Sequence, residues 1–252
     1  MLIALNSYHQ NTKHSYNSIR TNPNRVDWNN PPNKFKFYSK EYKRVHLNSS
    51  NQNYNFLYLI SGISAKKSYP SGEYYLRINP SAGALYPNEV YFQVRNVDGF
   101  EDGIYHLEVG SSCAVLLKKF EKNEGIENFL RLSYSVDGFI FFISSIYFRS
   151  SWKYKNRAFR YCLLDAGHLI GTMEATSYLF DKKFEVLYDF SKEKLNEFFS
   201  FDEKEFFTSV VIVGDKKESK KESFSLTLPT LDGASYIEEN ISFFQKNELV
   251  EN

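Results

Sequence analysis

The densest chemistry in this 252-residue chain lies in "RSSWKYKNRAFR", where Arg149, Lys153, Lys155, Arg157 and Arg160 fall within twelve residues and no acid interrupts them. Lys153 stands next to Tyr154, and a lysine beside a tyrosine can supply a general base and a hydrogen-bond donor to one substrate. The stretch follows an apolar run and precedes a helical pattern, a position where α/β proteins often bind ligands. A solvated basic loop leading into a helix is the plainer alternative. A second cluster, "NPSAGALYP", sets Ser81, Ala82 and Gly83 after Pro80, so successive backbone N–H groups can point outward at the start of a helical turn. Such a nest binds electron-rich oxygens through aligned amide dipoles, and Gly83 lets a flat ring or a phosphate approach the backbone. The alternative is a plain turn capped by Ser81. His168, in "DAGH", reads as a core or interface residue. "DKKESKKE" (215–222) follows a strand-like run and could reach a phosphate, although charge runs are commonly solvated.

Periodicity and punctuation outline the elements around these groups. Prolines at 23, 31 and 32 predict an extended arm with a short helix near its start. "NYNFLYLISGISA" predicts a short helix ended by Gly62. "EYYLRI" and "NEVYFQVRN" are strand-like on either side of the Pro-Ser turn, and "DGIYHLEV" with "CAVLLKKF" predicts a hairpin turning at "GSS". "FIFFISSIYF" (139–148) suits a strand buried on both faces. A long helix is predicted from Arg157 to Phe180, with Gly167 and Gly171 on one face, open to another helix or a flat ligand. "KEKLNEFF" predicts a short helix and "FTSVVIVG" a further central strand. The expected architecture is one α+β domain over 1–252: an N-terminal arm (1–55), a core (56–214) and a C-terminal arm (215–252).

Composition narrows the function classes. Lys and Arg number 31 against 30 Asp and Glu, so net charge offers nothing to nucleic acid. No apolar run is long enough to span a membrane, and "MLIALNSYHQ" is too short and polar for a signal peptide. Cys113 and Cys162 have no metal-ligand spacing and suggest no disulfide framework. A soluble, cytoplasmic protein is expected, with no metal, no nucleic acid and no membrane as partners. The 17% of aromatic residues reads mainly as core. No dinucleotide fingerprint, Walker loop, zinc-protease motif or nucleophile elbow is present.

Taken in order, the motifs carry a resemblance. The run from Pro80 to Tyr91 closely resembles the "PSAGALYPLEVY" signature of the nitroreductase-like flavoproteins, specifically their SagB-type (McbC-like) dehydrogenase branch. "DGIYHLE" (102–108) is similar to that branch's "GLYHY" segment, and "WKYKNRAFRYCLLDAGHLIG" (152–171) to its "WKYGxRAYRxxLLDAGH" segment. The start, "YHQNTKHS" through "DWNNPPNKFKFY", resembles the arm typical of these proteins.

The resemblance implies a nitroreductase-like fold, with a mostly antiparallel central sheet flanked by helices, a homodimer and FMN as cofactor. Pro80, Ser81, Ala82 and Gly83 would lie against the flavin, with Arg77 near the ring's polar edge or the phosphate. The branch includes azoline dehydrogenases, which oxidise thiazoline or oxazoline rings in peptides. Their catalytic Lys-Tyr pair falls on Lys153 and Tyr154, one acting as base and the other as orienter. The superfamily's Arg-Arg-Ser-like phosphate grip is missing here; Lys13 and Ser15 of "TKHS", or Lys216 beyond Gly214, would have to replace it. The implied function is FMN-dependent oxidation of an azoline ring in a peptide or peptide-like substrate, with other biosynthetic enzymes as further candidate partners. An NAD(P)H-dependent reductase of quinones or nitroaromatics and a non-catalytic scaffold subunit are the alternatives.

Overall fold

The structure, a computed structural model, describes residues 2–21, 26–48, 50–70, 72–201 and 204–232. Along the chain run α1 (Leu2–Thr12), α2 (Tyr16–Arg20), β1 (Arg44–His46), α3 (Gln52–Ser61), β2 (Ile63–Tyr69), β3 (Gly72–Arg77), β4 (Asn88–Arg95) and β5 (Gly103–Glu108). There follow β6 (Cys113–Lys119), β7 (Ser135–Ile146), α4 (Tyr147–Tyr154), α5 (Ala158–Leu179), β8 (Phe184–Leu187), α6 (Lys192–Phe198) and β9 (Glu205–Lys217). Seven strands form one sheet in the order β1-β6-β5-β4-β7-β9-β8. Every neighbouring pair in it is antiparallel. The architecture is therefore the expected α+β one.

β7 lies in the interior of the sheet, between β4 and β9, and is apolar on both sides. Successive side chains of a strand point to opposite faces. Phe139, Phe141 and Ile143 join Phe92, Val211 and Val213 on one face, under Phe56, Leu57 and Ile60 of α3 and Leu169 and Met173 of α5. Ile140 and Phe142 join Tyr91, Phe207 and Val210 on the other face, covered by Leu195 and Phe198 of α6 and by Phe199. Each such ring or aliphatic side chain, once fully buried, contributes about 1.5–3 kcal/mol. The many aromatic residues are chiefly these two layers.

α3 is capped by Asn51, whose side chain accepts the Asn53 N–H at 2.7 Å, and it stops at Gly62 as expected. The long helix runs from Ala158 to Leu179, within a residue of its expected ends. The strands on either side of the Pro-Ser turn do not pair with each other. β3 joins β2 in a separate two-stranded sheet, whereas β4 enters the main sheet between β5 and β7. The strand expected over 139–148 ends at Ile146, and its last two residues open α4 instead. Nothing announces that helix, because Ile146 stands at the cap position with no side-chain hydrogen bond.

The segment read as an N-terminal arm does more than wrap. β1 is an edge strand on β6, and Lys36 is buried, its ammonium 2.6 Å from both Glu205 and the Tyr91 hydroxyl. Past β9 the chain returns over its own core. Leu226 is buried, Thr230 accepts the Ser39 N–H at 3.0 Å, and Asp232 donates its N–H to Phe37 at 3.1 Å. The remainder of the C-terminal arm, residues 233–252, lies outside the described residues. Among the described residues no helix is long and apolar enough to cross a membrane. Nor does any group of His, Cys, Asp and Glu gather there as metal ligands.

Candidate active site

α4 carries Lys153 and Tyr154 at its end, where Lys155 (φ 49°) breaks the helix before a short 3-10 turn leads into α5. Trp152 anchors the helix on the other side: its indole N–H donates to Asp27 O at 2.8 Å, and its ring meets Trp28 edge-on at 5.2 Å. Lys155 closes the end, its ammonium 2.9 Å from Trp152 O.

The pair and the Pro-Ser turn, seventy residues apart in the chain, come together. A methyl group on Gly83 would stand 2.7 Å from the Tyr154 hydroxyl and 2.9 Å from the Lys153 ammonium. Gly83 (φ 65°), Ala84 (φ 52°) and Tyr86 (φ 48°) all occupy the left-handed region. Two of them are not glycine, and such strain clusters at functional sites. The Tyr74 hydroxyl donates to Gly83 O at 3.2 Å and steadies the turn from β3. Burial pushes the Tyr154 phenol up, with Tyr161 and Asp165 adding to the shift. A half-buried phenol of this kind keeps its proton near neutrality and serves as a donor.

Asp165 of α5 occupies the nest. Its carboxylate accepts the Ser81 hydroxyl at 2.5 Å and the Ala82 N–H at 3.1 Å. Ser81 Oγ in turn accepts the Tyr86 N–H at 2.9 Å. The hydroxyl and N–H expected to face a cofactor thus hold the turn on α5, and Gly83 is left as the turn's exposed contact. Burial pushes the Asp165 carboxyl up, and the Ser81 and Ala82 hydrogen bonds pull the other way. Asp165 escaped the sequence reading, although it is a lone acid among Leu163, Leu164 and Ala166.

The other expected residues divide. Pro80 borders a shallow hollow on α5, floored by Gly167 and Gly171 and flanked by His168 and Leu59. Arg77 is buried, with its N–H on the Tyr86 hydroxyl at 2.9 Å and its guanidinium on Lys34 O at 2.9 Å. Its Nε has no partner, and burial lowers its pKa to about 10, against the pull of Glu89. Lys13 lines a cavity of about 370 Å3 together with His14, Lys153, Tyr154, Lys155 and Arg157. Among the described residues no carboxylate lines this cavity, so it favours an anion. Ser15 is engaged elsewhere: it caps α2, exchanging hydrogen bonds with Ser18 at 3.1 and 2.8 Å. Lys216 sits at the far end of the sheet, 2.7 Å from Glu185. In register it faces Val136, ten residues along β7 from Ile146 and so roughly 33 Å from the start of α4. Within one chain it lies too far from Lys153 to share its site.

Beneath α4 lies a polar knot that the sequence reading also missed. Arg149 pairs with Glu89 of β4, and Glu89 meets the imidazole of His106 on β5 at 2.8 Å. All three are buried. Burial acts to raise the Glu89 pKa, but Arg149, His106 and Arg77 outweigh it and hold the carboxyl well below the usual range.

The fold and this geometry frame the comparisons. The chain matches no protein-family model. Over 92 residues it is 32% identical to a candidate nitroreductase of Methanocaldococcus jannaschii, a match covering 36% of this chain and 46% of that protein. A candidate nitroreductase of Anabaena variabilis has a solved structure that superposes with a TM-score of 0.72 at 25% identity, over 83% of this chain and 46% of that one. The chain thus spans about half the length of these relatives. The E. coli microcin synthetase McbBCD complex, with truncated pro-MccB17 bound, matches at a TM-score of 0.51 and 17% identity, over 81% of this chain and 74% of that one. The fold is nitroreductase-like.

Proposed function

We propose that this protein is an FMN-dependent oxidoreductase that dehydrogenates an azoline ring in a peptide or peptide-like substrate. The observation that carries the reading is the meeting of Lys153 and Tyr154 with the Gly83 turn. The carboxylate-free cavity beside the pair suits a phosphate, and Lys13, His14 and Arg157 would hold it. FMN, when bound, supplies a hydride acceptor. Aromatising the ring removes a proton from its α-carbon and a hydride from the neighbouring carbon, and a double bond forms between the two. Lys153, as the free amine, takes the proton. Tyr154, which burial keeps protonated, donates a hydrogen bond that orients the ring. Ser81 and Ala82 act through Asp165 by fixing the turn, and Gly83 keeps a gap open above the pair.

A homodimer fits the exposed apolar side of α5, where Leu164 and Leu179 are 60% and 72% exposed beside the Gly167–Gly171 hollow. The microcin synthetase likeness supports work beside partner enzymes on a peptide. A second reading, reduction of quinones or nitroaromatics with a nicotinamide donor, draws on the nitroreductase naming of the two relatives. The test mixes FMN-loaded protein with a synthetic thiazoline peptide, without oxygen, and follows flavin bleaching and a product two hydrogens lighter. A bleaching rate that falls about 100-fold or more in Lys153→Ala supports the reading. A wild-type rate in the double variant Lys153→Ala, Tyr154→Phe would sink it. Rapid bleaching by NADPH with an inert thiazoline peptide would favour the reductase.

A further inference from the structure

We infer that Arg149 is a positioning residue that aims Lys153 at the Gly83 turn; the inference rests on the function proposed above. Arg149 and Lys153 are four residues apart on α4 and so share one face of the helix. The Arg149 guanidinium is buried and ties together three segments. Its Nε donates to Asn33 O of the N-terminal segment at 2.9 Å. Its Nη1 donates to Tyr86 O, at the end of the Pro-Ser turn, at 3.0 Å, and to the Glu89 carboxylate on β4. The other Glu89 oxygen is held by His106, so the carboxylate cannot swing away from the arginine.

The chemical fit explains why the residue is an arginine. A guanidinium presents donors in a rigid planar fork, which can satisfy two carbonyls and a carboxylate at fixed angles. A lysine would keep the charge but act as a single point of attachment. Because one of the two carbonyls belongs to Tyr86, the same side chain sets both the roll of α4 and the height of the turn that Lys153 faces. A misplacement of about 1 Å in such an arrangement costs on the order of 100-fold in rate.

The test compares wild type, Arg149→Lys and Arg149→Gln, each loaded with FMN, on the thiazoline peptide, with a soluble quinone dye in excess as the acceptor that reoxidises the flavin. The expected result for Arg149→Lys is full FMN content, an almost unchanged KM and a kcat lowered about 10- to 100-fold. Should Arg149→Gln not fold, Arg149→Lys carries the test alone. A second measurement is independent of turnover: competitive labelling of lysine amines, read by mass spectrometry. Lys153 should label several-fold faster in Arg149→Lys, while Lys182, partly buried with its ammonium 3.3 Å from Asn53 Oδ1, keeps its wild-type rate. General loosening of the fold would raise both. Unchanged Lys153 labelling together with an unchanged kcat overturns the inference. If the thiazoline peptide is inert even with wild type, the functional reading fails, and labelling alone then decides the position of Lys153.

Discussion

The Asp165 carboxylate receives both the Ser81 hydroxyl, at 2.5 Å, and the Ala82 N–H, at 3.1 Å. The turn that resembles a ligand cradle is therefore fastened to the long helix by an acid 84 residues away. The anchor holds Gly83 opposite the Lys-Tyr pair. Asp165→Ala leaves a half-buried hydroxyl and a half-buried N–H without their acceptor. With hydrogen bonds to charged groups worth about 1.5–3 kcal/mol each, denaturant unfolding should show a loss of roughly 3 kcal/mol.

Gly83→Ala tests the close approach directly. The new methyl would meet the Tyr154 hydroxyl and the Lys153 ammonium below contact distance. At φ 65° it also adds about 1–2 kcal/mol of backbone strain. The expected outcome is a folded protein, slightly lowered in Tm, that oxidises the thiazoline peptide at least about tenfold more slowly. Full activity would mean that the pair does not work from this position.

Two buried carboxylates should give opposite slopes of stability with pH. Glu89 has its pKa lowered in the fold, so its contribution is present above the ordinary value of 4.5 and is lost as pH falls towards the folded value. Asp165 has its pKa raised, so the folded state binds the proton more tightly and stability falls as pH rises from 3.8 through the folded value. Melting curves of Glu89→Gln and Asp165→Asn across the acid range check this. Glu89→Gln should lose less stability than wild type on acidification, and Asp165→Asn should lose more.

Lys13→Ala should weaken FMN binding by about tenfold while leaving riboflavin binding unchanged, because the lysine is assigned to the phosphate. Lys216→Ala should change neither, since its ammonium is paired with Glu185 at the far end of β7. Fluorescence quenching of the two flavins measures both.

Much of the fold was legible in the chain. The apolar run of β7, the 3.6-residue pattern of α5 and the Asn51 and Gly62 punctuation of α3 are local signals, and the structure follows them. α4 was not legible, because Tyr147 and Phe148 continue the apolar run of β7 and no capping side chain marks the change. The partners of the turn were hidden for a different reason. Asp165 and Arg149 act across 84 and 63 residues of sequence, through tertiary packing that no local pattern encodes. Buried charged residues in apolar surroundings were the available clue, for such groups rarely stay buried without a partner. Lys216 shows the converse, since a basic run after a strand suggested a ligand where the register puts the other end of the sheet.

The most direct measurement is the absorption spectrum of the purified protein, with chromatography of whatever it releases on denaturation. The account predicts an oxidised-flavin spectrum and release of FMN. A colourless protein that added FMN cannot reconstitute would contradict it.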